Sequence, residues 1–135
     1  MTAQTDLEGI YRNYLDCLNR QDWTALGQFV TEGVHHNGRP FGLAGYRQML
    51  EADFRAIPDL SFHIDLVTVT APVVAARLLF DCTPEATFLG LPVNGRRVRF
   101  AEHVFYRFQD GLIAEVWSVI ARDSIERQLA SSGQI

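Results

Sequence analysis

The sequence predicts an α+β domain in which helices come first and a curved antiparallel sheet follows. Three observations carry this. From Leu7 to Ile57, apolar residues recur at helical spacing. From Leu60 onward they alternate with polar residues at the period of a strand. The stretch Arg96–Ile120, RRVRFAEHVFYRFQDGLIAEVWSVI, reads as a long hairpin. Val98, Phe100, Val104, Tyr106 and Phe108 fall on one of its faces, and Arg99, Ala101, His103 and Arg107 mostly on the other. Helices segregated onto one concave face of such a sheet bury both apolar surfaces at once.

The first helix opens at Thr5-Asp6-Leu7-Glu8, with Thr5 or Asp6 as N-cap and acid in its first turn. Its apolar stripe is Leu7, Ile10, Tyr11, Tyr14 and Leu18. Asn19-Arg20-Gln21-Asp22 breaks it, and Asp22 caps a short second helix carrying Trp23, Leu26, Phe29 and Val30. The chain is irregular from Thr31 to Gly42, with a short extended piece at Val34-His35-His36-Asn37. A third helix runs from Leu43 to about Ile57 with Tyr46, Met49, Leu50, Phe54 and Ile57 inward, and Pro58-Asp59 ends it. Then come strands: Leu60–Thr70, with Phe62, Ile64 and Leu66 set against Ser61, His63 and Asp65; Val73–Cys82, with Arg77 and Asp81 inserted; a less regular Glu85–Gly90; and the hairpin. Arg122–Leu129 reads as a short helical tail.

The chain of 135 residues reads as one domain over 1–135, long enough for a real core, with 47% apolar and 21% charged residues. Its net charge of −4 offers no electrostatic footprint for nucleic acid or an anionic membrane. All twelve basic residues are arginines, which excludes Schiff-base chemistry, a lysine base and a phosphate-binding loop with its lysine. Cys17 and Cys82 are too few for a disulfide framework or a zinc site, and the histidines lack chelating spacing, so no metal is expected. The N-terminus lacks the basic flank and apolar run of a signal peptide, and no stretch approaches the ~20 apolar residues of a membrane span. These features predict a cytoplasmic protein with reduced thiols.

The hairpin's apolar face holds one intruder, Glu102. A three-residue loop at Gln109-Asp110-Gly111, with Gly111 left-handed, pairs Phe108 with Leu112, Tyr106 with Ala114, Val104 with Val116 and Glu102 with Ser118. A carboxylate and a hydroxyl then sit side by side on the buried face, and a buried carboxylate needs a reason. Apolar neighbours push such a group toward neutrality, which suits proton abstraction beside a carbonyl. The plainer alternatives are an ion pair with Arg77 or Arg99, or a bulge that turns Glu102 to solvent. By parity His103 faces the other way, and a bulge would exchange the two. Arg77 and Asp81 share a strand face, either as a structural pair or with Arg77 free to clamp a ligand. His35 and His36 stand near the expected pocket mouth, and Tyr11, Tyr14 and Tyr106 are core aromatics or cavity hydroxyls.

Several pieces follow one another in a specific order. The helical hairpin ends near Asp22-Trp23, and Pro58-Asp59-Leu60 precedes a strand. Thr87-Phe88-Leu89-Gly90-Leu91-Pro92 leads to Asn94-Gly95-Arg96. Arg107-Phe108 through Asp110-Gly111-Leu112-Ile113 leads to Glu115-Val116-Trp117, and Gln128-Leu129 closes the chain. In this order they resemble the SnoaL-like polyketide cyclase group of the nuclear-transport-factor-2-like superfamily, over nearly the whole length. One departure is Ile57, where the family usually has phenylalanine. The resemblance implies a cone-shaped barrel: a strongly bent sheet wrapped by helices, enclosing an apolar pocket, usually as a homodimer. It also implies intramolecular aldol cyclisation of polyketide esters without metal or organic cofactor. In such enzymes an aspartate following the tryptophan of the last strand, and a histidine three residues before the arginine that ends the previous strand, handle the protons. Here those positions hold Ser118 and Val104, and neither moves a proton usefully. A second family aspartate falls near Ala121, with Asp123 close by. The fold transfers, and the usual catalytic pair does not.

Two function classes follow. The first is a cofactor-independent enzyme acting on a small apolar carbonyl compound, by ring-closing aldol or isomerisation chemistry. Its candidate catalytic residues are Glu102, His103 and Asp123. Its candidate ligand contacts are Tyr14, His36, Phe54 and Arg77, and on the hairpin Val104, Tyr106, Trp117 and Ser118. The second is a non-catalytic protein that binds a small apolar or aromatic ligand in the same cone. A weaker third is a hydrolase or dehydratase using paired carboxylates, for which Glu102 and Asp81 offer themselves.

Overall fold

The computed structural model describes residues 6–132. Helix α1 covers Leu7–Asn19, and Asp6 caps it by accepting a 2.9 Å hydrogen bond from the Gly9 amide. Thr5, the alternative cap, lies outside the described residues. A 3₁₀ helix at Trp23–Gln28 takes the place of the expected second α-helix, and the chain then extends into β1, Val30–His36. Helix α2 is Gly42–Ala56. The remaining strands are β2 (His63–Thr70), β3 (Val73–Cys82), β4 (Thr87–Phe88), β5 (Leu91–Pro92), β6 (Val98–Gln109) and β7 (Leu112–Ile120). Helix α3, Arg122–Ser132, closes the chain.

Five strands form one open sheet in the order β1-β7-β6-β3-β2, and β4-β5 is a separate two-stranded ribbon. The sheet is mixed, because β1 joins its edge parallel to β7. This strand is longer than its sequence signals. Only Val30 and Val34 are buried, four residues apart, so the period of two is not visible. Along β2 the expected alternation breaks at an irregularity between Ile64 and Leu66. Asp65 is the extra residue there. It re-aims the chain so that Val67, not Leu66, points inward, and leaves Leu66 64% exposed.

The hairpin exists, but its turn is tighter than expected. Asp110 and Gly111 both have positive φ, 52° and 78°, as the two central residues of a type I′ turn require. Gln109 pairs with Leu112 and Phe108 with Ile113, and a bulge then moves the ladder on so that Val104 pairs with Ser118 and Glu102 with Ile120. The expected Glu102–Ser118 pair is therefore diagonal. The β3–β6 ladder runs unbroken from Val73–Arg107 to Cys82–Val98, so no bulge disturbs the parity at Glu102.

Helices α1 and α2 cover the concave face. Tyr11, Tyr14 and Leu18 of α1 and Tyr46 and Leu50 of α2 meet Val74, Leu78, Phe80, Phe100, Val104, Tyr106 and Ile113 of the sheet. Helix α3 packs against the start of β6, anchored by the fully buried Ile125 and by Gln128. The Gln128 side chain accepts from the Arg99 amide (2.8 Å) and donates to the Arg99 carbonyl (2.5 Å). The opposite, outer face of the sheet carries Phe105, Trp117 and Val119, which are 52%, 40% and 70% exposed. No helix among the described residues is long and apolar enough to cross a membrane.

Candidate functional site

Between the concave face and α1 and α2 lies a cavity of about 190 Å³. Its walls are mostly apolar: Leu18, Met49, Leu50, Ile57, Leu60, Phe62, Phe80, Phe88, Phe100, Val104, Val116 and Ile120 contribute to it. Into this lining project six titratable side chains: Tyr14 from α1, His36 from β1, Tyr46 and Asp53 from α2, and Glu102 and Tyr106 from β6. Ser118 of β7 adds a hydroxyl, and no arginine reaches the lining.

Glu102 gets there by strand parity. Its neighbours on the same face of β6 are Phe100 and Val104, both buried. Desolvation pushes its carboxyl up from the ordinary 4.5 to about 7. A hydrogen bond with the Ser118 side chain opposes that rise, and the negative charge of Asp53 adds to it. Asp53 is itself pushed up to about 6 by burial alone.

All four tyrosines of the chain gather around this carboxyl. The Tyr14 and Tyr46 hydroxyls are 2.7 Å apart, and the Tyr11 hydroxyl donates to that of Tyr106 at 3.3 Å. The Tyr11 and Tyr106 rings lie 4.8 Å apart, centroid to centroid. Burial holds each phenol well above its usual range, so all four stay protonated and act as hydrogen-bond donors. His36 lines the cavity, its ring 5.6 Å from that of Phe41. Desolvation and then Arg39 lower its pKa, favouring the neutral imidazole.

Of the residues expected at a site, Glu102, Tyr14, His36, Val104, Tyr106 and Ser118 thus line one cavity. The others are elsewhere. His103 is exposed on the outer face, paired across the strands with Arg77 and Val119, because the ladder keeps its parity. Arg77 is on that face too, and donates to Asp65 at 2.5 Å, not to Asp81 or Glu102. Asp81 is held instead by Arg97 at 2.6 Å and Arg99 at 3.2 Å, which removes it as a partner for Glu102. Trp117 stands on the outer face opposite Phe105. Asp123 is exposed in the first turn of α3, 3.0 Å from Arg127, whose guanidinium lowers its pKa. Phe54 is buried beside the cavity, its ring 5.6 Å from that of Trp23, and packs the helix rather than lining the space.

Asp53 and Tyr46 went unread as site residues in the sequence. The signal for Asp53 was present. Tyr46, Met49, Leu50 and Asp53 occupy one face of α2 at positions i, i+3, i+4 and i+7, so the carboxylate interrupts an inward stripe. A wider groove of about 640 Å³ lies on the outer face beside α3, but its charged side chains are already engaged in the Arg77–Asp65, Arg99–Asp81 and Arg127–Asp123 pairs.

Comparison with known proteins places this architecture. The family model for SnoaL-like polyketide cyclases matches residues 8–129. The crystal structure of a SnoaL-like polyketide cyclase from Agrobacterium tumefaciens is 56% identical in sequence; the match covers 93% of this chain and 99% of that one, with a TM-score of 0.92. IdmH from Streptomyces antibioticus shares the fold at 19% identity and a TM-score of 0.80, over 93% of this chain and 99% of its own. TsrD from Streptomyces laurentii does so at 23% and 0.81, over 96% and 98%. No protein of curated function matches the sequence. With the cone's helices, sheet and cavity in place and the family matched over nearly its whole length, the chain belongs to the SnoaL-like polyketide cyclase family.

Proposed function

We propose that this protein is a cofactor-independent enzyme performing acid/base chemistry on a small, largely apolar carbonyl compound, by intramolecular aldol ring closure or by isomerisation. The observation that carries the reading is Glu102, a carboxyl held near neutrality in an apolar cavity and surrounded by phenols. A carboxyl in that range exchanges protons readily at physiological pH. Protonated Tyr14, Tyr46 and Tyr106 supply donors for the negative oxygen that develops when a carbon beside a carbonyl loses its proton. The division of labour is that of ketosteroid isomerase, where a carboxyl and a phenol share an apolar site.

The competing reading is a binding protein that kept the cone and lost the chemistry. It draws on Val104 and Ser118, which stand where the family resemblance puts the proton-handling pair. Either way the ligand is small and mainly apolar or aromatic, in keeping with the lining. A homodimer formed through the outer sheet face would cover Phe105, Trp117 and Val119, whose exposure supports that arrangement. The free, buried thiols of Cys17 and Cys82 suit a cytoplasmic setting.

Deuterium exchange tests the proposal. In heavy water, the native protein should incorporate deuterium beside the carbonyl of 1-tetralone or ethyl benzoylacetate. Glu102→Gln should slow this by about 10²–10⁴-fold while leaving affinity for the same compounds intact. Saturable binding with no exchange by the native protein would favour the binding-protein reading.

A further inference from the structure

We infer that Asp53 is the second proton-handling group of the cavity: its carboxylate takes the proton from the substrate carbon while Glu102 gives one to the carbonyl oxygen. This rests on the catalytic reading above and assigns the two roles within it.

The geometry is the first support. Asp53 faces the cavity from α2, in line with Met49 and Leu50 and next to Ile57, while Glu102 faces it from β6. Among the described residues the Asp53 carboxyl has no hydrogen bond and no ion pair, and desolvation is the sole cause of its perturbation. Asp53 is half-buried and desolvated, and no protein group engages its carboxyl, which leaves that group open to a ligand in the cavity. Glu102 differs. It has the Ser118 hydroxyl beside it and perturbs all four phenols, so it belongs to the hydrogen-bonding end of the cavity where an oxygen would be held.

The charges are the second support. The titratable groups facing the space are Tyr14 of α1, His36 of β1, Tyr46 and Asp53 of α2, and Glu102 and Tyr106 of β6; Tyr11 stands behind Tyr106. The phenols stay neutral, the imidazole is biased to neutrality, and no arginine reaches the lining. Nothing therefore compensates two carboxylates together, and the pair retains one proton near neutral pH. With Glu102 at about 7 and Asp53 at about 6, that proton rests mainly on Glu102. Separated values of this kind sort an acid from a base.

The step balances. Asp53 accepts the proton from carbon, the C–H electron pair becomes the enol double bond, and the carbonyl π pair moves to oxygen, which receives the Glu102 proton. In isomerisation, Asp53 returns its proton at another carbon and Glu102 recovers its own from the enol. In ring closure, the enol carbon bonds to a second carbonyl carbon, whose oxygen takes the Asp53 proton, and the first oxygen returns its proton to Glu102. Both residues end as they began. The uncompensated acidic charge also fixes the substrate class as a neutral ketone or ester with an acidic C–H, since a free carboxylate would be repelled.

The test is the pH profile of deuterium exchange into ethyl benzoylacetate and 1-tetralone by native protein, Asp53→Asn, Asp53→Glu and Glu102→Gln. Circular dichroism and thermal melting of each variant confirm folding. The native rate should rise as Asp53 ionises near pH 6 and fall as Glu102 ionises near pH 7. Asp53→Asn should lose at least about 10²-fold and its acid limb, with partial recovery in Asp53→Glu. Glu102→Gln should keep the acid limb and lose the alkaline one. A folded Asp53→Asn that exchanges within about threefold of native, with the acid limb intact, overturns this assignment alone. Absence of exchange by the native protein overturns the catalytic reading itself, and the assignment with it.

Discussion

Val104 and Ser118 stand directly opposite each other in the β6–β7 ladder, both line the cavity, and Glu102 is the next residue on the same face of β6. The positions that the family resemblance gives to a histidine and an aspartate are thus a true cross-strand pair, now filled by a methyl-bearing side chain and a hydroxyl. Ser118 is not idle. Its hydroxyl favours the ionised form of Glu102 against the pull of burial. Ser118→Ala should therefore raise the Glu102 pKa further, by up to about one unit if the lost bond is charge-assisted. An NMR titration of the Glu102 carboxyl would detect it, and an unchanged or lowered value would contradict the assignment.

The two cavity carboxyls should make stability depend on pH in an unusual direction. Both have folded-state values above their ordinary ones: Glu102 rises from 4.5 to about 7, and Asp53 from 3.8 to about 6. The folded state then binds protons more tightly than the unfolded chain. The resulting stability is full below pH 4 and is lost as pH rises through 6 and 7. For Glu102 alone the span amounts to ~3 kcal/mol, and the coupled pair gives less than twice that. His36, with its lowered value, works in the opposite sense below pH 6.5 and blunts the effect on the acid side. Urea unfolding at pH 6 and pH 8 should show the native protein weaker at pH 8. Glu102→Gln should be more stable than native at pH 8 and should show a smaller difference between the two.

Tyr46→Phe removes one hydroxyl of the 2.7 Å pair with Tyr14. It leaves the Tyr14 hydroxyl buried without that partner, which costs about 1–3 kcal/mol. Tyr14→Phe should cost a similar amount, and the double variant less than the sum, because the second change removes an orphan already created. Thermal unfolding of the four proteins closes the cycle. Additive losses would show that the two hydroxyls are not coupled.

The outer face should govern self-association. Phe105 and Trp117 are cross-strand partners there, and Val119 continues the patch on β7. Replacing Phe105 and Trp117 by arginine should convert a dimer to monomer in sedimentation velocity and leave the cavity intact, since neither side chain lines it. A dimer that persists in the double variant would place the interface elsewhere.

Local rules and parity made much of this molecule readable. The cap at Asp6, the stop at Pro58, the long alternation of β3 and β6 and the carboxylate among apolar neighbours are all written in adjacent residues. Strand parity alone separated Glu102 from His103, and the unbroken β3–β6 ladder preserves that separation. What depends on pairing was not local. The type I′ turn and the bulge after it moved the register so that Ser118 faces Val104, which no residue in β6 announces. The extra residue Asp65 turned Leu66 outward and gave Arg77 its partner. Asp53 lies on the inward stripe of α2, and only the packing of α2 against the sheet brings it to the cavity. The sequence by itself determined the order of elements and the presence of one misplaced carboxyl. Only the tertiary structure brought a second carboxyl and four phenols to it, because closeness between a helix and a strand arises from packing and leaves no trace in sequence spacing.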